Sequence, residues 1–192
     1  MSLAGSSQTT GLLATKHGDL MSFVKKYNPG YQREICGKKD ECFFGNYPTL
    51  SQLKSAYGTN APVIWLVPQL YNLSEYCGCK DKLTESQLEE CAHVIASEFF
   101  YLKVSELMLW LHRFKAGMYG RFYGSVDPLV IVASLHDFIR ERATAIEKHD
   151  NELKRVQMEI ERSKAIPWEE YCKRNNIQGR EDPLANLTEI TI

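Results

Sequence analysis

Hydrophobic positions along the chain recur mostly three and four residues apart, the spacing that places side chains on one face of an α-helix. A clear example runs from Leu88 through Cys91 and Ile95 to Phe99, directly after the capping-box sequence Thr84–Gln87 that typically opens a helix. No pair of alternating apolar and polar runs joined by a turn occurs, as a β-hairpin would need. The pattern predicts an all-α fold: a helical bundle with a long charged C-terminal helix.

Capping residues, prolines and glycines place the helices of the first half of the chain. Thr49 is expected to cap a short helix that ends at Gly58. A second helix is expected from about Ala61 to Tyr76, and its interior Pro68 predicts a kink or a break near Val67.

In the second half, the helix that opens after the capping box is expected to continue, with a bend, through Phe100 and Leu102 to Phe114. Asp127-Pro128 combines a capping residue with a first-turn proline and predicts the start of the last long helix. Pro167 is expected to begin a short final helix.

These elements predict three parts. Residues 1–47 are expected to form a poorly ordered N-terminal arm with one weak helix that ends at Asn28-Pro29-Gly30, followed by a loop over residues 28–48. Residues 48–148 form the helical core domain. Residues 149–192 form an extended helix, a short terminal helix and a tail.

Composition narrows the class of protein. The chain has 192 residues, 44% of them hydrophobic, and 24 acidic against 23 basic residues, a formal net charge of −1. This balance is ordinary for a folded protein and argues against a surface that is basic all over for DNA binding. No apolar run of about 18 residues is present, so no membrane association is expected. The N-terminus lacks the pattern of a secretory signal, so a cytoplasmic protein is expected.

The six cysteines lack the paired spacing of a structural zinc site. A zinc site built from Cys77, Cys79, Cys91 and His93 is an alternative, but positions 91 and 93 point apart on a helix. Reduced thiols, with no metal and no cofactor, are the prediction.

A heptad seam runs along the last long helix, with apolar residues at steps of four and three and two polar interruptions. The seam consists of Leu135, Ile139, Arg142, Ile146, His149, Leu153, Val156 and Ile160. One interpretation is a helix that folds back on its own domain. The other is a coiled coil with a second copy or a partner, in which Ile146, His149, Leu153, Val156 and Ile160 mediate oligomerisation and Arg142 and His149 set the register.

Residues 110–128, here called the basic-aromatic turn, combine cationic and aromatic side chains with three glycines between two helices. Arginine beside aromatic rings suits single-stranded nucleic acid or an acidic peptide. The candidate binding residues are His112, Arg113, Lys115, Tyr119, Arg121 and Tyr123. In the structural alternative, Phe122 and Tyr123 fill the end of the bundle, and Arg113 and Arg121 pair with carboxylates at the edge of the core such as Glu106 and Asp127.

The chain contains no phosphate-binding Gly-Lys-Ser/Thr loop, no His-Glu-x-x-His and no Gly-x-Ser-x-Gly. Asp127 is better explained as a helix cap than as a general base. The sequence therefore predicts a protein that is not an enzyme.

Three segments carry a resemblance: CFFGNYPTL at 42–50, residues 65–96, and LHRFKAGMYGRFYGSVDPLVI at 111–131. Over roughly residues 42–145 the chain resembles a family of uncharacterised helical proteins from Bacteroides-type genomes, commonly associated with prophage or conjugative elements. The resemblance implies this genomic context and no assigned activity; together with the basic-aromatic turn it predicts a non-enzymatic accessory or adaptor protein of mobile-element or phage-type DNA metabolism. Such a protein would bind an unidentified protein partner, and single-stranded nucleic acid as a further ligand, through the basic-aromatic turn. The alternative is a purely structural or self-assembling protein, a homodimer through the heptad helix.

Overall fold

The computed structural model describes residues 13–164 and 168–175, and the fold is all-α. Residues 13–17 are helical, and a short 3-10 helix spans Pro29–Tyr31. The helices are α1 (Leu20–Lys26), α2 (Gln32–Cys36), α3 (Lys39–Phe44), α4 (Leu50–Tyr57), α5 (Ala61–Tyr76), α6 (Glu85–Glu98), α7 (Val104–Lys115), α8 (Pro128–Lys164) and α9 (Trp168–Asn175). The long C-terminal helix of the prediction is α8.

Local capping starts α4 and α6 where the sequence predicts. The Thr49 backbone N–H donates to Gln52 Oε1 over 2.9 Å, and the Gln52 N–H donates to Thr49 Oγ1 over 3.2 Å. Thr84 and Gln87 form the same reciprocal pair at the start of α6. Each box satisfies donors that the first turn of a helix leaves unpaired, which explains why both starts are readable from sequence.

α5 has the predicted bounds but no break at Pro68. Trp65 and Leu66 before the proline and Leu70 after it are fully buried. Burial of apolar side chains on both sides of Pro68 outweighs the one backbone hydrogen bond that the proline removes.

The prediction that one bent helix runs from the capping box to Phe114 is wrong, because α6 ends at Glu98 and α7 begins at Val104. The segment between them pairs with the first residues of α4. The N–H groups of Leu50 and Ser51 donate to the carbonyls of Leu102 and Phe100. These hydrogen bonds come from residues about 50 positions away, so the periodicity of the segment itself gives no sign of them.

The N-terminal segment is also more regular than the predicted arm and loop. Residues 28–48 contain the 3-10 helix, α2 and α3. Phe23, Tyr27, Ile35 and Phe43 are buried in the core of the bundle. The helices are too short for a sustained period in the sequence, and burial of these rings and of Ile35 against the other helices stabilises them.

α7 is the central helix and packs against α2, α3 and α5. Nine of its twelve residues are buried, and Trp110 Nε1 donates to Ser134 Oγ of α8 over 2.9 Å. The chain divides into two compact units, and the boundary between them lies between Ile146 and Glu147, within α8. Among the described helices, none is long and apolar enough to cross a membrane.

Candidate binding site

Three of the predicted binding residues, His112, Arg113 and Lys115, lie in the last turns of α7 and on two different faces of that helix. His112 and Lys115 are three residues apart and line a cavity of about 560 Å³ between α2, α5 and α7. Arg113 lies on another face of α7, against α8. The cavity is lined by Pro29, Gly30, Gln32, Arg33, Asn72, Tyr76, His112, Lys115 and Ala116.

Side-chain amides hold the Lys115 ammonium in place. Lys115 Nζ donates to Gln32 Oε1 over 2.7 Å and also to Asn72 Oδ1. Gln32 is buried and its Nε2 donates to Gln69 Oε1 over 2.7 Å, and Gln69 Nε2 donates to the Tyr27 carbonyl over 2.8 Å. A continuous hydrogen-bond chain therefore connects Lys115 to the end of α1.

The cavity is cationic. Burial and the neighbouring Arg33 lower the pKa of Lys115. Burial and Lys115 in turn lower the pKa of His112. No carboxylate belongs to the described residues that line the cavity, so neither Lys115 nor Arg33 has an acidic counter-charge there.

Arg113 pairs with Glu141 of α8, and its guanidinium lies 5.9 Å from the centre of the Phe138 ring. Its side chain is largely buried by these contacts. Next to this pair is Tyr119, and burial raises the pKa of its hydroxyl to about 12. Both residues belong to the packed support of the turn rather than to its exposed surface.

Arg113 therefore pairs with a carboxylate at the edge of the core, as the structural alternative expects, but with Glu141 and not with Glu106, which pairs with Arg142 of α8. Arg142 Nε donates to Glu106 Oε1 over 2.6 Å. Arg142, which the coiled-coil interpretation assigns to the register, thus has its partner in the buried carboxylate of Glu106.

The exposed end of the turn consists of Arg121 and Tyr123. Arg121 is exposed, and Tyr123 has 90% of its surface accessible. Phe122 between them stacks on Phe114 at 5.3 Å between ring centres, so only this ring fills the bundle end as the structural alternative expected. Gly120 and Gly124 have positive φ angles, which side chains rarely adopt, so the glycines give the turn its shape.

Asp127 is the helix cap that the sequence predicts. Its Oδ1 accepts from the Leu129 N–H over 2.8 Å, at the first turn of α8. The preceding Val126 donates its N–H to the Asp81 carbonyl over 2.9 Å, which fastens the end of the turn to the segment before α6.

A family model described as a family of unknown function, DUF6633, matches residues 82–181 of the chain. The chain belongs to the DUF6633 family. No curated protein and no solved structure matches the chain.

The DUF6633 match contains α6, α7, the basic-aromatic turn and α8. It therefore includes His112 and Lys115 of the cavity, whereas Gln32, Asn72 and Tyr76 lie before it. The cavity is completed by residues outside the segment that the DUF6633 model describes.

The heptad seam in the DUF6633 segment changes character along α8. Leu135 is fully buried, and Ile139, Ile146 and His149 are partly buried. Leu153, Val156 and Ile160 are exposed. The start of the seam, Leu135 and Ile139, belongs to the bundle core, and its C-terminal end presents an exposed apolar stripe.

The cysteines, all of them among the described residues, form no disulfide. Burial raises the pKa of the Cys91 thiol to about 12, which keeps it protonated and poorly nucleophilic at neutral pH. Within residues 13–164 and 168–175, no group of three or more His, Cys, Asp or Glu side chains is arranged to hold a metal ion.

Sequence reasoning missed most of the residues that line the cavity. Gln32 and Arg33 lie in the segment predicted to be a loop, and Asn72 and Tyr76 are polar positions on a helix predicted from its apolar residues. The spacing of Asn72 and Tyr76 places both on one face of α5, which is the one local signal available. Nothing local connects that face to Lys115.

Proposed function

We propose that this DUF6633 protein is a non-enzymatic, cytoplasmic accessory protein of mobile-element or phage-type DNA metabolism in Bacteroides-type genomes. It binds an acidic protein partner through the exposed end of the basic-aromatic turn, Arg121 and Tyr123, with single-stranded nucleic acid as a second ligand. The observation that carries the proposal is the 90% exposure of Tyr123 beside the exposed Arg121.

An exposed tyrosine ring such as that of Tyr123 contributes little to the stability of the free protein, because it buries almost no apolar surface. Tyrosine and arginine are the residue types that most often dominate the binding energy of interfaces, because each combines a large planar surface with a polar end. The Phe122–Phe114 stack holds the backbone before Tyr123, and the hydrogen bonds of Gly124 and Val126 to Asp81 hold the backbone after it. The pair is thus presented on a shaped support, which lowers the entropy lost on binding.

The proposed contact set is narrower than the six residues predicted from sequence. Arg113 is engaged by its ion pair with Glu141, and Tyr119 is largely buried, so neither is presented to a partner. His112 and Lys115 line the cavity. Arg121 and Tyr123 are the two of the six that remain for a macromolecular partner.

The test is affinity capture from host extract with the wild-type protein and the double variant Arg121→Ala/Tyr123→Ala. We expect the variant to lose the captured partner by at least about tenfold in quantitative mass spectrometry, since a single interface hot spot is worth about 2 kcal/mol or more. The same variant should weaken binding of a labelled single-stranded oligonucleotide, whose affinity for the wild type should fall steeply with salt.

The matched control is Tyr71→Ala/Arg140→Ala, which removes an exposed tyrosine and an exposed arginine from α5 and α8. It should capture the same proteins as the wild type. If the turn variant and the control capture identical proteins, the turn is not the binding surface.

A second candidate function is self-association, and the exposed stripe of Leu153, Val156 and Ile160 favours it. These residues keep the heptad spacing, so two copies of α8 would bury them against each other as a coiled coil. The mass of the protein in solution decides this candidate.

A further inference from the structure

We propose that the cavity between α2, α5 and α7 binds a phosphate monoester that carries a planar ring. This site is separate from Arg121 and Tyr123, so the inference goes beyond the proposed function. It depends on the charge, the hydrogen-bond supply and the shape of the cavity.

The charge of the cavity calls for an anion. Lys115 and Arg33 both line it, and the described lining residues include no carboxylate. Burial and the proximity of Arg33 disfavour the charged form of Lys115, as the lowered pKa records. An anion between the two side chains would relieve this repulsion.

The hydrogen bonds of Lys115 leave one donor for a ligand. An ammonium group has three N–H donors, and the oxygens of Gln32 and Asn72 accept two of them. Neutral amides orient the group without cancelling its charge. Because the amide of Gln32 is itself held by Gln69, the ammonium is positioned before any ligand arrives.

Arg33 supplies the second set of donors. Its side chain is exposed at the rim, and its guanidinium presents a planar fork that matches two oxygens of one phosphate group. The two positive charges fit a phosphate monoester, which carries about −1.5 to −2 at neutral pH, better than a single carboxylate.

The part of the cavity lined by Tyr76, His112, Pro29 and Ala116 fits a planar ring of the ligand. Tyr76 is 63% exposed, and Lys115 Nζ lies 5.8 Å from the centre of its ring. The His112 ring and the apolar surfaces of Pro29 and Ala116 also face the space. A volume of about 560 Å³ falls within the range of small-molecule sites, which is roughly 300–1,000 Å³. Phosphate alone would leave most of it unfilled.

Isothermal titration calorimetry with three probes tests the proposal: adenosine 5′-monophosphate, inorganic phosphate and adenosine. We expect the monophosphate to bind at least about tenfold more tightly than either of the others, since each loses one class of contact worth roughly 1.4 kcal/mol or more. Equal binding of adenosine would exclude the role of Lys115 and Arg33, and equal binding of phosphate would exclude the role of the ring. Absence of binding by the monophosphate would overturn the proposal outright.

The variant Arg33→Gln locates the binding. Arg33 is exposed, so the variant should fold, and we expect about a tenfold loss of monophosphate affinity. Lys39→Gln removes the same charge from the neighbouring helix α3 and should leave affinity unchanged. An equal loss in both variants would mean attraction to the general charge of the protein rather than a site.

Tyr76→Ala should weaken the monophosphate and leave the weak binding of inorganic phosphate unchanged. Arg121→Ala/Tyr123→Ala should bind the monophosphate as the wild type does. Failure at the cavity with a functional turn, or the reverse, therefore separates this proposal from the proposed function.

Discussion

At the scale of single residues, Glu106 joins three segments of the bundle. Its carboxylate is fully buried on α7, accepts from Arg142 Nε of α8 over 2.6 Å, and accepts from the Lys103 backbone N–H over 2.8 Å. A buried charge is tolerated when its partners supply hydrogen bonds. Here one carboxylate both caps the start of α7 and neutralises an arginine of α8.

We therefore expect Glu106→Ala to lower the free energy of unfolding by about 3 kcal/mol, because it leaves Arg142 half-buried without its counter-charge. Urea unfolding followed by circular dichroism measures this. Glu98→Ala, at an exposed position on α6, should change the value by less than about 0.5 kcal/mol.

Arg142→Ala should also be destabilising, and the double variant should cost less than the sum of the two single changes, since both remove one interaction. Equal, small effects of Glu106→Ala and Glu98→Ala would show that the buried pair contributes nothing to stability.

At the scale of elements, the sequence predicts the helix starts that depend on neighbouring residues. It does not predict the break between two helices that depends on distant residues. Thr49 and Thr84 find their partners three residues away, so the pattern of a few letters suffices. The separation of α6 from α7 depends instead on the carbonyls of Phe100 and Leu102, which accept from the first residues of α4. The interior Pro68 shows the converse, since packing keeps a helix that local rules would interrupt.

Lys103 tests the importance of these distant contacts. Its Nζ donates to the carbonyls of Phe43 over 2.7 Å and Gly45 over 3.0 Å, at the end of α3. We expect Lys103→Ala to destabilise the protein by about 1–2 kcal/mol, because two part-buried carbonyls lose a charged donor.

The loss should appear as faster amide hydrogen exchange in α3, with α6 little changed. Lys54→Ala, at an exposed position in α4, is the control and should leave exchange in α3 as it is. Unchanged exchange in α3 for Lys103→Ala would mean that α3 is held by its apolar contacts alone.

At the scale of the whole molecule, the all-α fold follows from periodicity, but the cavity does not. The sequence predicts His112 and Lys115 as binding residues because cationic and aromatic side chains are frequent around them. Gln32 is 83 positions away from Lys115 and gave no signal, because a buried glutamine looks like any polar residue until its partners are placed. Local density identified one wall of the site, and tertiary packing supplies the others.

Self-association is a property of the molecule as a whole, and sedimentation velocity measures it. If α8 pairs with a second copy, the wild type should be a dimer that Leu153→Glu/Ile160→Glu converts to a monomer, since two buried glutamates at the seam would repel. Met158→Glu places a charge on an exposed residue off the seam and should stay dimeric. A wild type that is monomeric at every concentration excludes this second candidate.

The long-range hydrogen bond between Lys115 and Gln32 has a consequence for folding during synthesis on the ribosome. Phe43 stacks on Phe138, so α2 and α3 find their final partners only after roughly 100 further residues have been synthesised. At about 5–20 residues per second, a ribosome needs about 5–20 seconds for that length. Throughout that interval the Phe43 ring lacks the Phe138 ring that later stacks on it. We therefore expect chaperones to bind the nascent chain at this exposed ring until the part of α8 that carries Phe138 has emerged.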